Sequence, residues 1–162
     1  MNQVTDKILT GTLGELLVQI RLLQYGVQAA PAIKDSGNDL IAVNGKEFRA
    51  VSVRTTTKDR YTKPGKKRKY HVLAVVHLVG HGREVSLDGS KIFLIPKPDV
   101  AGASTQWNKL GNYELSERVV EDLFGPLAIK QRPSPGHSLM TIKRLWSRKR
   151  VTGRVEGFEP GF

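Results

Sequence analysis

The chain contains no cysteine, which excludes disulfide scaffolds and thiolate-bound zinc. No run of ~18 or more apolar residues exists, so no membrane-spanning helix is expected. Met1 to Lys7 is polar where a secretory signal would be apolar. A soluble, cytoplasmic protein is the expectation. Acids are the other shortage: 15 Asp+Glu stand against 26 Lys+Arg, a net charge of +11 over 162 residues. A surplus of that size attracts polyanions, because each neutralised phosphate releases condensed counterions. Composition alone suits DNA, RNA, a ribosome or an anionic membrane equally well, so the position of the charge must discriminate. The 39% hydrophobic content is enough for one ordinary core.

Leu9, Leu13, Leu16, Leu17, Ile20 and Leu23 recur mostly at spacings of three and four, which predicts a helix to Tyr25 with Gly26 as its stop. The runs 39–43 and 47–53 flank Asn44-Gly45, the strongest hairpin signal in the chain. The run from Tyr70 to Leu78 is nearly all apolar or β-branched, as in a central strand covered on both faces. His81-Gly82 and Asp88-Gly89 read as turns, and Lys91 to Ile95 as a further strand ended by Pro96. Ser116 to Phe124 reads as a helix with Ser116 as N-cap, closed by Gly125-Pro126. This divides the chain into a core domain, residues 1–125, and a basic C-terminal extension, residues 126–162, in which eight Lys/Arg face two Glu.

Glu15 sits early in the first helix behind Gly11 and Gly14, and Asp39 opens the first hairpin strand. On the second strand Ser52 and Arg54 share a face, because side chains alternate with period two. Acids brought together in this way can hold Mg²⁺ against a phosphate, and a cation beside them can balance developing charge. Taken singly, each residue has a plainer reading. Glu15 suits a solvated first-turn acid favoured by the helix dipole, Asp39 a turn residue in Ser36-Gly37-Asn38-Asp39, and Ser52 and Arg54 an edge-strand surface.

Together, Gly11-Thr-Leu-Gly-Glu15, Gly37-Asn-Asp39-Leu-Ile-Ala and Phe48-Arg-Ala-Val-Ser52-Val-Arg54-Thr-Thr resemble the PD-(D/E)XK nuclease superfamily. The similarity is greatest to its Holliday-junction-resolvase-like branch and restriction-endonuclease-like relatives, and it spans roughly residues 8 to 100. The resemblance implies an α/β, restriction-endonuclease-like αβββαβ core, a mixed central sheet flanked by helices. It also implies a DNA-binding, Mg²⁺- or Mn²⁺-dependent endonuclease acting on duplex or structured DNA, with a homodimer as the arrangement of such resolvases. Glu15, Asp39, Ser52 and Arg54 take the catalytic positions, with Glu15 and Asp39 as metal ligands. Ser52 stands where the family has Glu or Gln, and Arg54 where it has Lys. A serine is a weaker, neutral ligand. An arginine grips phosphate bidentately but cannot act as a general base. A metal held by the two carboxylates, the Val53 carbonyl and water is one arrangement. A catalytically inactive nucleic-acid-binding module, or a structural interaction subunit on the same fold, are the others.

Two basic segments complete the picture. Arg54 to Lys69 holds eight basic residues and one acid directly after the site strand. There Arg54, Thr55, Thr56, Lys58, Arg60, Lys63, Lys66, Lys67, Arg68 and Lys69 are the expected phosphate contacts, with Tyr61 available to stack on a base. A solvated loop is the competing reading. In the tail, Lys143, Arg144, Arg148, Lys149 and Arg150 surround Trp146 as a second DNA arm, a membrane-surface helix or a helix docking on the core. His77 and His81 are separated by a glycine-broken stretch and do not read as a metal pair.

Overall fold

The structure is a computed structural model that describes residues 5–33, 37–65, 68–80 and 84–127. The elements run α1 (Asp6–Gln24), β1 (Gln28–Pro31), β2 (Leu40–Asn44), β3 (Glu47–Thr56), β4 (Val72–Val79), β5 (Ser86–Pro96), three short 3-10 turns between Lys97 and Tyr113, and α2 (Glu117–Phe124). The strands form one five-stranded sheet in the order β1-β2-β3-β4-β5. Pairing is antiparallel throughout except for β3 with β4, which run parallel. The fold is a mixed α/β sheet flanked by helices.

Each helix begins where a hydroxyl satisfies a free backbone donor. Thr5 accepts from the Ile8 N–H ahead of α1, and Ser116 accepts from Val119 ahead of α2. Gly26 ends α1 at a φ of +80°, a conformation glycine adopts without a Cβ penalty. Leu17, Val18 and Leu22 of α1 and Val120 and Phe124 of α2 pack on the same face of the sheet, against Leu40, Ala42, Val51, Val53 and the even-numbered β4 residues Val72 to Leu78. On the other face Leu73, Val75, Phe93 and Ile95 are covered by Tyr61, Tyr70, Val100 and Leu110 from the loops. Both faces of β4 are therefore dry, which explains why its sequence shows no polar alternation.

Four details depart from the sequence-based expectation. The turn between β2 and β3 is Gly45-Lys46, with positive φ at Gly45 alone, the II′ rather than the I′ pattern. Asn44 is instead the last residue of β2, and its amide is directed to the carbonyls of Phe124, Gly125 and Pro126 at the end of α2. Strand β1 was not expected. Its four residues lack β-branched side chains, and a proline ends it, which an edge strand tolerates. Asp88-Gly89 lies within β5, where the register shifts as a bulge instead of turning the chain.

The resemblance also implies a helix between the third strand and its parallel partner. Residues 57–71 contain none among the described residues. The described ones are held by backbone bonds that include Tyr61 N–H to Thr105 O at 3.0 Å and Arg68 N–H to Gly65 O at 3.1 Å. The core runs on to Leu127, two residues past the expected boundary. From residue 128 on, the basic extension, with Lys143, Arg144, Trp146, Arg148, Lys149 and Arg150, lies outside the described residues, as does His81.

Gly14 sets the distance between α1 and β3, since any Cβ at this position would collide with the Thr55 side chain. Gly14→Val is therefore expected to lose about 1–3 kcal/mol by overpacking, read as a lower urea midpoint. Gly14→Ala should cost less in a Thr55→Ala background than alone. Equal costs in both backgrounds would place the constraint elsewhere.

Candidate functional site

Asp39 is fixed through both its backbone and its side chain. Its N–H donates to Val51 O at 2.9 Å, and its carbonyl accepts from Ala32 N–H at 3.1 Å. The carboxylate reaches across to β3, where Oδ2 accepts from the Val53 N–H at 2.6 Å and from Ser52 Oγ at 3.1 Å. Bonds to an ionised acceptor are roughly twice as strong as neutral ones, so this pair locks the carboxylate's orientation. Oδ1 faces Arg68 Nη1 at 3.8 Å.

One cleft of about 730 Å³ collects Glu15 from α1, Asp39 from the start of β2, Val53 and Arg54 from β3, and Lys58 and Arg60 from the following loop. Burial pushes the Glu15 carboxyl above its ordinary range, and the neighbouring Asp39 charge pushes it further. Arg54 donates through Nη1 to Val53 O at 3.0 Å. Burial lowers its pKa, with the Arg68 charge adding to that effect and Asp39 and Tyr70 opposing it. Its ordinary value is so high that the guanidinium stays charged. Two carboxylates and two guanidiniums thus share one corner of the sheet.

Glu15, Asp39 and Arg54 are brought together. Ser52 is fully buried and donates its hydroxyl proton to Asp39, so it supports that carboxylate from beneath instead of standing in the cleft. Thr55 lines the cleft, and its Oγ1 is buried without a hydrogen-bond partner among the described residues. The Thr56 hydroxyl is used within its own loop, donating to Arg60 O at 2.9 Å and accepting from Lys58 N–H at 3.0 Å. Lys63 turns away to Ala101 O at 2.9 Å. Tyr61, expected to stack on a base, is 4% exposed and packs in the core. Lys69 lines a different concavity, and Lys66 and Lys67 lie outside the described residues. Lys7 and Gly11 also line the cleft. With Glu15 they are spaced by four on one helical face, so the spacing alone points to Lys7 as a further cation of the cleft.

For a metal, the donors on offer are the Glu15 and Asp39 carboxylates. Among the described residues no group of three or more His, Cys, Asp or Glu is placed to hold an ion. The Val53 carbonyl, considered above as a third ligand, already accepts from Arg54. Mg²⁺ commonly uses one or two carboxylates together with substrate phosphates. The pair fits that minimal set and no fuller cage.

No protein-family model matches the chain, and no curated protein matches it. Among solved structures, a bacterial homing endonuclease is similar, with a TM-score of 0.50 at 13% identity over 74% of this chain and 91% of the other. At that identity the likeness is one of fold, and the α/β architecture is of a nuclease-like kind. No helix among the described residues is long and apolar enough to cross a membrane.

Glu15 holds its proton more tightly folded than unfolded. Its ionisation therefore costs stability as pH rises above the ordinary value of 4.5, and below that value the cost vanishes because both states are protonated. Glu15→Gln is expected to raise the urea midpoint at pH 7 and to leave it nearly unchanged at pH 4. A gain of equal size at both values would rule out the charge as its cause.

Proposed function

We propose that the chain binds DNA as a PD-(D/E)XK-type nuclease domain, with the Glu15–Asp39–Arg54 cleft receiving a backbone phosphate. The observation that supports this most is the convergence of a helix acid and a hairpin acid with an arginine at one sheet corner, next to a basic loop. Arg54 is half-buried and preorganised by its bond to Val53 O, so it presents a fixed fork of donors to a phosphate. Lys58 and Arg60 are exposed at the same cleft and extend the contact along the backbone. Such contacts position the nucleic acid and read no sequence.

Glu15 and Asp39 would hold a Mg²⁺ or Mn²⁺ ion jointly with that phosphate. The ion supplies Lewis-acid activation of water for phosphodiester hydrolysis when bound. Burial and, after it, the Asp39 charge raise the Glu15 pKa, and a cation held by the two carboxylates would offset both. Ser52 and the Val53 N–H keep Asp39 aimed at the cleft. No lysine stands at the family's base position, and Arg54 cannot take a proton. A second reading, a binding module that does not cut, draws on Arg68 beside Asp39 and Arg54 on the Val53 carbonyl, which together weaken the field that attracts a metal.

Retention and cleavage of branched, duplex and single-stranded DNA in Mg²⁺ or Mn²⁺ test these readings. The enzyme cuts, and cutting is lost in Glu15→Ala and Asp39→Ala. The module retains DNA in a salt-steep manner without cutting. Arg54→Ala is expected to weaken retention and to reduce the salt slope by about one for the lost phosphate contact. Absence of retention at moderate salt sinks both readings and leaves an interaction subunit. Calorimetry should find Mn²⁺ bound at least ~10-fold more tightly with DNA present than alone, a coupling within the usual range. Equal affinities would remove the phosphate from the metal's coordination.

A further inference from the structure

A second concavity, of about 910 Å³, lies on the other side of the Asn38–Asp39 corner, with Asn38 lining it while Asp39 lines the cleft. Its composition is unlike that of the cleft. Ala30, Ile41 and Ala50 give an apolar floor, and Tyr70 closes one side. Lys69 and Lys97 stand at the rim, and the described residues lining it include no acid. Lys97 Nζ sits over the Tyr70 ring at 5.2 Å from its centroid and donates to Arg68 O at 3.3 Å. His71 Nδ1 accepts the Ala50 N–H at 2.9 Å, while the His71 N–H donates to Ala50 O at 2.8 Å. The imidazole is thereby held in one orientation. In its neutral form the proton sits on Nε2, a donor left for a ligand.

Two apolar side chains nearby are exposed more than a stable surface favours. Ile33 at the rim is fully exposed, and Phe48, edge-on to the His71 ring at 6.1 Å, is 61% exposed. A slot with an apolar floor, cations at its rim and a fixed N–H donor suits a ligand that is flat and apolar on its faces, rich in acceptors at its edge and attached to phosphates. A nucleobase has those properties. A base stacked and paired within a duplex does not have its faces free to enter, whereas an unpaired or extruded base does.

Building on the DNA-binding reading above, we infer that this concavity receives an unpaired nucleobase next to the phosphate bound in the cleft. The adjacent residues Asn38 and Asp39 line the slot and the cleft respectively, so a strand whose phosphate meets Arg54 has the slot beside it for a neighbouring nucleotide. Ile33 and Phe48 act as apolar wedges that cover the extruded base and discourage restacking. The substrate class is DNA carrying an unpaired nucleotide, as at a bulge, a flap or a branch point.

Binding of three labelled duplexes tests this: fully paired, with one unpaired thymidine, and with one unpaired abasic site at the same position. The thymidine bulge is expected to bind about tenfold more tightly than the paired duplex, as one base–aromatic contact would give, and the abasic bulge no more tightly than the paired duplex. Ile33→Ser with Ala30→Phe, which removes a wedge and fills the slot at an exposed edge position, should abolish the preference while leaving paired-duplex affinity unchanged. Photocrosslinking from 5-iodouracil in the bulge should mark Tyr70, His71 or Phe48. Equal binding of thymidine and abasic bulges, or a crosslink confined to the cleft, overturns the inference while leaving DNA binding intact. Failure to bind any duplex overturns both.

Discussion

The short bond from the Val53 N–H to Asp39 is the contact on which the rest depends. It ties the start of β2 to the middle of β3 at the place where the antiparallel pair ends and the chain turns away. A buried backbone N–H needs a partner, and here the partner is a carboxylate. One interaction therefore closes the end of the β2–β3 pair and fixes a negative charge. The Ser52 hydroxyl adds a second bond to the same oxygen, leaving the other oxygen toward Arg68 and the cleft. Close packing of Gly14 on Thr55 then brings α1 near enough for Glu15 to feel that charge.

The charge balance of this corner follows from Ser52 and Arg54, the two positions at which the chain departs from the pattern it resembles. A glutamate in place of Ser52 would add a third anion beside Asp39, and Ser52 is fully buried there, where an unpaired charge is costly. An arginine in place of lysine keeps a cation that does not release its proton. The result is a site closer to neutral than two acids alone would give. On the proposed reading, such a site would suit a phosphate better than a bare metal ion.

Much of this was legible from residues alone, for identifiable reasons. The helix and the dry β4 strand follow from the apolar pattern and the hairpin from Asn44-Gly45, while the family resemblance leads to the expectation that Glu15, Asp39 and Arg54 meet, and they do line one cleft. What escaped depends on three-dimensional partners. Strand β1 has no propensity signal because its pairing with β2 defines it. Tyr61 looks like a stacking residue in a basic loop, yet the second core layer claims it. Thr56 looks like a phosphate contact, but the Arg60 carbonyl takes its one donor, and Lys63 reaches to the Ala101 carbonyl instead of into the cleft. A run of like charges reports where cations lie in sequence and not which of them the fold has already used.

The parallel pairing of β3 with β4 has a consequence for how the molecule's two concavities relate. A parallel partner obliges the chain to travel back along the sheet, and here that return is made by residues 57–71. The start of the segment borders the cleft and its end borders the slot. The described residues of this segment, 57–65 and 68–71, thus serve both concavities. A lengthened or shortened connection would disturb the two together, so this strap acts as a common ruler for them.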